Sequence, residues 1–458
     1  MTDLLAARVQ MGTSLAFHIV FAVLGMGLPI LLIVSEGLWL RTGDPVYIAL
    51  TRRWAKGFAI LFAVGAVSGT ILSFELGLLW PEFMRYAGGI IGLPFSAEGF
   101  AFFIEAIFLG LYLYGWDRLS PRAHWLTAFP IAISGTLSAI FVISANAWMN
   151  SPAGFRLVNG EAVDVDPVAA MFNGAWFQQS LHMVLAAYIA TGLAVAGLYA
   201  WGILRGRDDA YHRAGLTIAI ALAAVFAPLQ PLSGDISARW VAENQPAKLA
   251  ALEGQFRTEA GADLSIGGWP DVEARQTRFA IRIPNGLSLL AYRDPNAVVQ
   301  GLEAFPRADW PDPRIVHVAF QLMVGIGFGV VFLVAWYWLS AWRHRRRGHE
   351  GRFPGPWLLR AVVFAAPLGF VAIEAGWTVT EVGRQPWIIY NVMRTSEAVT
   401  PVPGQFVALG GFTAVYGILA VTAAALLIRL GRQPLPELAP EPGAPFSSPG
   451  TEERHAVA

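Results

Sequence analysis

The sequence predicts an all-α polytopic membrane protein of nine transmembrane helices, with its N-terminus outside (periplasmic) and its C-terminus cytoplasmic. Three observations predict it. Apolar residues make up 55% of the 458 residues and charged residues only 14%, against about 25% charged in a soluble domain. Nine stretches reach the roughly 20 mostly apolar residues that a hydrocarbon core about 30 Å thick requires. Basic side chains then fall unevenly between the two sides of the resulting threading.

The stretches lie at about 13–38, 57–80, 97–116, 125–147, 176–203, 214–232, 315–340, 358–380 and 405–428. The first is too long for a signal-peptide core and no small-residue cleavage site follows it, so it is expected to remain as a span. With the N-terminus outside, 18 basic residues occupy the short inner loops and the C-terminal tail, among them Arg41, Arg52, Arg53, Arg118, Arg205 and Arg343. Five lie in the short outer segments, namely Arg8, Arg85, Arg156, Arg384 and Arg394. Positive charge is retained on the inside, which fixes the orientation. The other nine sit in one long outer loop, where they count little.

Four regions follow: 1–232 with helices one to six, a periplasmic loop over 233–314, 315–432 with helices seven to nine, and a disordered cytoplasmic tail over 433–458. The tail is rich in Pro, Glu, Ser and Gly. Within the long loop, 235–257 predicts an amphipathic helix around a central proline, and 278–293 returns toward the membrane. A structureless loop of this length would be unusual, which marks it as functional.

Composition also excludes. There are 32 basic and 32 acidic residues and no cysteine. Zero net charge gives no footing for a nucleic-acid partner. The absence of thiols removes disulfides, iron–sulfur clusters and covalent c-type haem attachment.

Ionisable groups inside spans cost about 2.5–3.5 kcal/mol each on insertion scales. This chain carries His18, Glu98, Glu105, His182, His317, Glu374 and Glu381 there, with the soft ligand Met323. His18, Glu98, His182, Met323 and Glu381 come from five different spans yet fall at one depth, in the outer half. Histidine with methionine suits haem iron, since imidazole is a strong axial ligand and a thioether favours the ferrous state. A packing histidine and a packing methionine are the bland alternatives for His182 and Met323. His317 is read as a packing residue: six positions from Met323, it points about 120° away.

Glu98 and Glu105 are seven apart, so both carboxyls share one helix face about 10 Å apart along the axis. That suits a proton relay, which Ser138 and Asn146 on the next span can extend. After span eight the chain reads EVGRQPWIIYNVMRTS over 381–396. Gly383 and Pro386 predict a turn there, and Arg384, beside carboxylates, suits the propionates of a haem. Trp387 alone would be only an interfacial anchor; within this run it is taken, with Arg384, as a candidate cofactor-binding residue.

GRQPW at 383–387 with MRTS at 393–396 resembles the signature of subunit I of the cytochrome bd quinol oxidases. GWDRL at 115–119, ANAWM at 145–149 and EGFAFFIEAIFLG at 98–110 resemble further parts of it, in the same order, over about residues 8–430. The resemblance implies a haem-bearing subunit of a bacterial inner-membrane enzyme that oxidises two quinols and reduces O2 to two waters. It implies two haem b and one haem d, or a third haem b in place of haem d. It makes His182 and Met323 the axial ligands of a low-spin haem b, and His18 and Glu381 those of the high-spin pair. Glu98 matches an acid beside that pair; Glu105, Ser138 and Asn146 match the proton path from the cytoplasm. Lys248 and Glu253 match the lysine and glutamate of the quinol loop, here in its short form, and Arg384 matches an arginine near the haems. A second membrane subunit, sometimes a third single-span one, and quinol (ubiquinol or menaquinol) are the implied partners.

Two departures stand out. Many members carry arginine two positions before the axial methionine, where this chain has Gln321. A missing positive charge there is expected to lower the low-spin haem's potential. Many also carry Glu-Phe-Gln-Phe-Gly at the end of span two, where this chain has Ser73, Phe74, Glu75, Leu76 and Gly77. Glu75 then faces roughly opposite to the usual glutamate. Two rivals from other classes remain at this stage. A proton-coupled transporter would show inverted repeats and broken midplane helices, and would be colourless. A membrane cytochrome b that passes electrons on without touching O2 would use only His182 and Met323.

Overall fold

A computed structural model describes residues 2–346 and 353–434. The predicted tail from residue 435 onward lies outside the described residues, as do Arg347, Arg352 and Arg454. Among the described residues, nine helical stretches are long and apolar enough to cross a membrane.

The first four are unbroken: α1 (Asp3–Thr42), α2 (Pro45–Leu79), α3 (Pro81–Tyr114) and α4 (Pro121–Asn150). All four run well past the apolar counts. α2 starts twelve residues before the expected 57, because a helix continues through the charged Arg52, Arg53 and Lys56 where hydropathy stops. Its true start is chemical: Asp44 accepts from the Val46 N–H at 2.9 Å and Pro45 takes the first turn. Ser120 and Pro121 repeat the device at α4.

A hairpin of β1 (Arg156–Val158) and β2 (Glu161–Val163) and the short α5 (Pro167–Met171) lead to α6 (Trp176–Leu204). The sixth span is α7 (Ala210–Phe226) continued by α8 (Leu229–Asn244), offset at Ala227–Pro228. The expected boundary at 232/233 therefore falls inside a helix. The predicted helix over 235–257 is two: α8 stops, and α9 (Pro246–Glu253) restarts on Pro246, which has no N–H to continue the ladder.

Beyond α9 the long loop is ordered by three two-stranded antiparallel ladders. β3 (Glu259–Ala260) pairs with β8 (Val298–Val299), β4 (Leu264–Ile266) with β7 (Ile281–Ile283), and β5 (Trp269–Asp271) with β6 (Gln276–Arg278). Helix α10 (Gly286–Tyr292) buries Leu287 and Ala291 against Ala242 and Leu249. The segment 278–293 thus folds back onto α8 and α9. Span seven is α11 (Pro313–Arg346); span eight is α12 (Pro356–Ala365) with α13 (Leu368–Val382), broken at Ala366–Pro367. β9 (Trp387–Ile389), β10 (Met393–Arg394) and α14 (Thr395–Ala398) precede the last span, α15 (Gln405–Arg432).

The largest apolar core joins α1, α2, α6, α7, α11 and α12. A smaller one joins α9 to α11 and α13, with Met323 at its margin. This second core seats the long loop on the spans; that face of the bundle is the loop end, and the opposite face the arginine end.

Candidate functional site

Each candidate axial residue is held from behind. The His18 Nδ1 lies 2.9 Å from the Ser68 hydroxyl of α2, which leaves Nε2 free for a ligand. A Cβ at Gly69 would come within 3.0 Å of that ring, so only glycine lets α2 lie this close. His182 repeats the pattern, with Nδ1 2.9 Å from the Ser233 hydroxyl. The Met323 thioether rests on bare backbone, 3.0 Å from where a Cβ on Gly376 would stand.

Glu381 and Arg384, one turn apart, form the centre of a polar network at the loop end. Arg384 donates to Glu381 Oε2 at 2.5 Å, and Asn146 donates to Glu381 Oε1. Asn150 donates to Asn146 and accepts from the Lys248 ammonium at 3.2 Å. Lys248 also donates to the Thr380 carbonyl at 3.4 Å. The bare Gly383 backbone allows its approach, since a Cβ there would meet the lysine stem at 3.0 Å. Loop and spans are therefore joined here through a continuous run of side chains from Lys248 to Arg384. Burial pulls the Lys248 ammonium down to about 7, helped by the Arg384 charge and opposed by Glu381. Burial likewise pushes the Glu253 carboxyl up to about 8.

Asn146 therefore contacts Glu381 directly, where the sequence associated it with Glu98 and Glu105. The other members of that group are together. Ser138 donates to Glu98 at 3.3 Å, and Glu105, 6% exposed, sits against Gly135 of α4. Arg384, expected near the interface, is only 2% exposed. Trp387 is more than an anchor, because the Arg394 guanidinium stacks 4.6 Å above its ring. Together with Lys248, Arg384 and Asp309, Trp387 lines a cavity of about 90 Å³.

Several participants escaped the sequence. Asn150 and Gln245 are ordinary residues there, yet Gln245 donates to the Asn150 carbonyl at 2.9 Å and fixes the base of α9. Glu75 is buried and accepts from Gln10 at 3.0 Å, while Ser73 is exposed. The two faces are opposite, as the spacing required. His317 is buried, as a packing residue would be, with its ring nitrogens on carbonyls of α9 and the loop, and Gln321 bonds the same loop. Only their spacing of four, which puts both on one face, signals it.

These residues fit haem. Arg384 is buried with Nε and Nη1 both unpartnered, which leaves two donors for anionic oxygens such as propionates. His18 presents a nitrogen oriented by a hydroxyl. At His182 the Gln230 amide nitrogen lies 3.1 Å from Nε2, so iron there requires that amide to turn aside. That turn gives up the bond Gln230 Nε2 donates to the His182 carbonyl at 3.2 Å, while Oε1, buried and unpartnered, has none to lose.

The fold and these donors define a polytopic membrane protein with buried, unpartnered polar atoms among its helices. Residues 6–434 match the family of cytochrome bd terminal oxidase subunit I. The chain is 39% identical over 432 residues to the putative cytochrome bd menaquinol oxidase subunit I of Bacillus subtilis (strain 168), covering 93% of this chain and 96% of that one. It is 30% identical over 471 residues to the cytochrome bd-II ubiquinol oxidase subunit 1 of Escherichia coli (strain K12), covering 86% and 88%. The solved bd oxidase from Geobacillus thermodenitrificans superposes with a TM-score of 0.87 at 39% identity, over 94% of this chain and 98% of that one. The chain belongs to the cytochrome bd terminal oxidase subunit I family. It is a multi-pass protein of the bacterial inner membrane and a haem-dependent terminal oxidase subunit.

Proposed function

We propose that this chain is the haem-bearing subunit of a quinol oxidase that takes electrons from quinol at the outer face and reduces O2 with protons drawn from the cytoplasm, building a proton-motive force without pumping. The N-terminus is outside and the 233–314 loop periplasmic in this reading. His182 and Met323 hold the low-spin haem b; His18 and Glu381 hold the high-spin pair, which completes a set of two haem b and one haem d, or three haem b. Bound haem supplies the electron relay and the iron that reduces O2.

The rest is done by this chain. Arg384 neutralises Glu381 and offers its two spare nitrogens to propionates. Lys248 and Glu253 on α9 receive the protons that quinol releases, the amine and the carboxylate each acting as base when unprotonated. Glu98 and Glu105, one above the other on α3, hold protons moving inward from the arginine end, with the Ser138 hydroxyl bonded to Glu98. Each elementary charge so moved is worth about 2.3 kcal/mol per 100 mV. A second large membrane subunit completes the enzyme, with a small single-span one as a further partner; ubiquinol or menaquinol is the donor.

The observation that carries this reading is Arg384, buried with two free donors beside Glu381 and joined to the loop lysine through Asn146 and Asn150. The test is Met323→Leu, which removes the thioether at nearly constant volume. The reduced low-spin band of the purified complex should shift or vanish; an unaltered reduced-minus-oxidised spectrum would refute the ligand assignment.

A further inference from the structure

Two features of the long loop are explained neither by haem ligation nor by proton transfer. His317 is fully buried with both ring nitrogens on loop carbonyls, and Gln321 bonds the same loop through both atoms of its amide. Both lie on α11, one turn apart. Gln321 Oε1 accepts from the Gly267 N–H at 2.9 Å and its Nε2 donates to the Ser265 carbonyl at 3.0 Å. The His317 ring lies between two carbonyls, with Nε2 3.0 Å from that of Gly267 and Nδ1 2.7 Å from that of Leu252. The Gly267 peptide is thus gripped on its N–H and its C=O by two side chains of one helix. An arginine at 321 could donate to Ser265 but could not accept from Gly267.

The second grip is on α9. Leu252 is held by His317, and two residues later the Gly254 carbonyl accepts from the Thr277 hydroxyl at 2.7 Å. Gly254 has φ +62°, and a Cβ there would stand 2.4 Å from that hydroxyl, so the close approach is reserved for glycine. Glu253 lies between the two pegged residues. Its backbone is fixed on both sides while its carboxylate Oε2 remains buried and unpartnered. The apolar core beneath α9 joins Ala250, Ala251 and Leu252 to Ala375 and Val379, with Met323 at its edge.

We propose that His317 and Gln321, with Thr277 opposite, form a clamp that fixes α9 on the spans and so positions Glu253 for quinol oxidation. This rests on the quinol role of the loop. Position 321 serves loop geometry in this chain, where an arginine would serve charge. The three side chains are positioning residues: none needs to touch the quinol, and their effect is to hold a base at one place relative to Met323. An error of about 1 Å in such placement can cost up to about 100-fold in rate.

The experiment uses Gln321→Met, which keeps length and removes both bonds, and Thr277→Val, which removes one bond outside the membrane. In the purified complex each should raise the quinol KM about five-fold or more and leave turnover with an artificial electron donor within about two-fold. Trypsin should cut the loop faster, at exposed Arg257 or Arg278, with haem content unchanged. Gln321→Arg should not restore the quinol KM. An unchanged KM in both variants, or equal loss with both donors, overturns the clamp. Lys248→Ala and Glu253→Ala separate the two ideas. If neither alters quinol kinetics, the quinol role fails; if both do while the clamp variants behave as wild type, only the clamp fails.

Discussion

The two ends of the helix bundle treat buried polar groups in opposite ways. At the arginine end, Glu36 of α1 accepts from the Tyr112 hydroxyl at 2.6 Å and from His124 Nδ1 at 2.7 Å, and His124 Nε2 meets the Tyr112 carbonyl at 2.8 Å. Trp116 covers the His124 ring at 3.8 Å, and Arg52 lies over Trp116. Each of these contacts is matched. At the loop end, Arg384 keeps two unpartnered nitrogens, and Glu253, Glu374 and Gln230 each keep an unpartnered oxygen. A buried group without a partner costs about 1–3 kcal/mol. The loop-end group leaves polar atoms open to a ligand, whereas the Glu36 group is closed on itself, although Trp338 Nε1 at the arginine end is also buried and unpartnered.

The largest expected effect is at Arg384. Arg384→Met keeps volume, removes both spare donors and leaves Glu381 with Asn146 alone. Haem retained per chain should fall, and oxygen uptake should drop about ten-fold or more, since breaking a buried pair leaves an uncompensated charge worth about 3–5 kcal/mol. Haem content by pyridine haemochromogen and oxygen uptake would check it. Wild-type haem content would show that the free nitrogens have no ligand to meet.

Next come Lys248 and Glu253, whose shifts set a pH window. The lysine amine is neutral above about 7 and the Glu253 carboxyl is ionised only above about 8. Both become proton acceptors as pH rises. Quinol oxidation should therefore climb several-fold between about pH 6 and 8.5, in two steps. Lys248→Met should erase the lower step and Glu253→Gln the upper, while an artificial donor shows neither. Superimposable profiles for wild type and both variants would remove these residues from proton transfer.

A smaller effect belongs to the rim of the same cavity. Arg394 donates to Asp309 at 2.6 Å with both side chains about a third exposed, and stacks on Trp387. Solvent screens such a pair to roughly 1 kcal/mol or less. Asp309→Asn should therefore raise the quinol KM by no more than about three-fold, measured in the same steady-state assay. A loss as large as that at Arg384 would mean the rim carries chemistry that its exposure argues against.

Much of this division was legible in the sequence, for physical reasons that differ by residue. Spans were readable because about 20 apolar residues have few other uses; their ends were not, because Arg52 and Arg53 sit inside α2 without interrupting it. Glu98 and Glu105 were readable from a seven-residue period and do face α4 together. Asn146 was assigned to their side because adjacency in sequence favours α3, whereas its partner Glu381 is 235 residues away. His317 was read as packing because it points about 120° from Met323; it is buried, and its partners are loop carbonyls, which no side-chain pattern reveals. Glu36 and His124 were not singled out at all, each having its partner on a different helix.

The smallest expected effect on turnover lies at that arginine-end group, and it tests the comparison most directly. Glu36→Gln keeps shape but turns one carboxylate oxygen into an amide donor facing either the Tyr112 hydroxyl or His124. With both side chains of the pair nearly inaccessible, the loss should be about 3–5 kcal/mol in folding, seen as a lowered thermal transition and lower yield of purified complex. Turnover per haem should nevertheless match wild type within about two-fold, because none of the three groups is left unpartnered to receive a ligand. Glu36→Leu combined with His124→Leu should recover most of the stability, since removing both members of a buried pair for apolar residues is often neutral. If turnover per haem instead falls in step with the thermal transition, the satisfied end also takes part in proton uptake, and the contrast between the two ends no longer separates structure from chemistry.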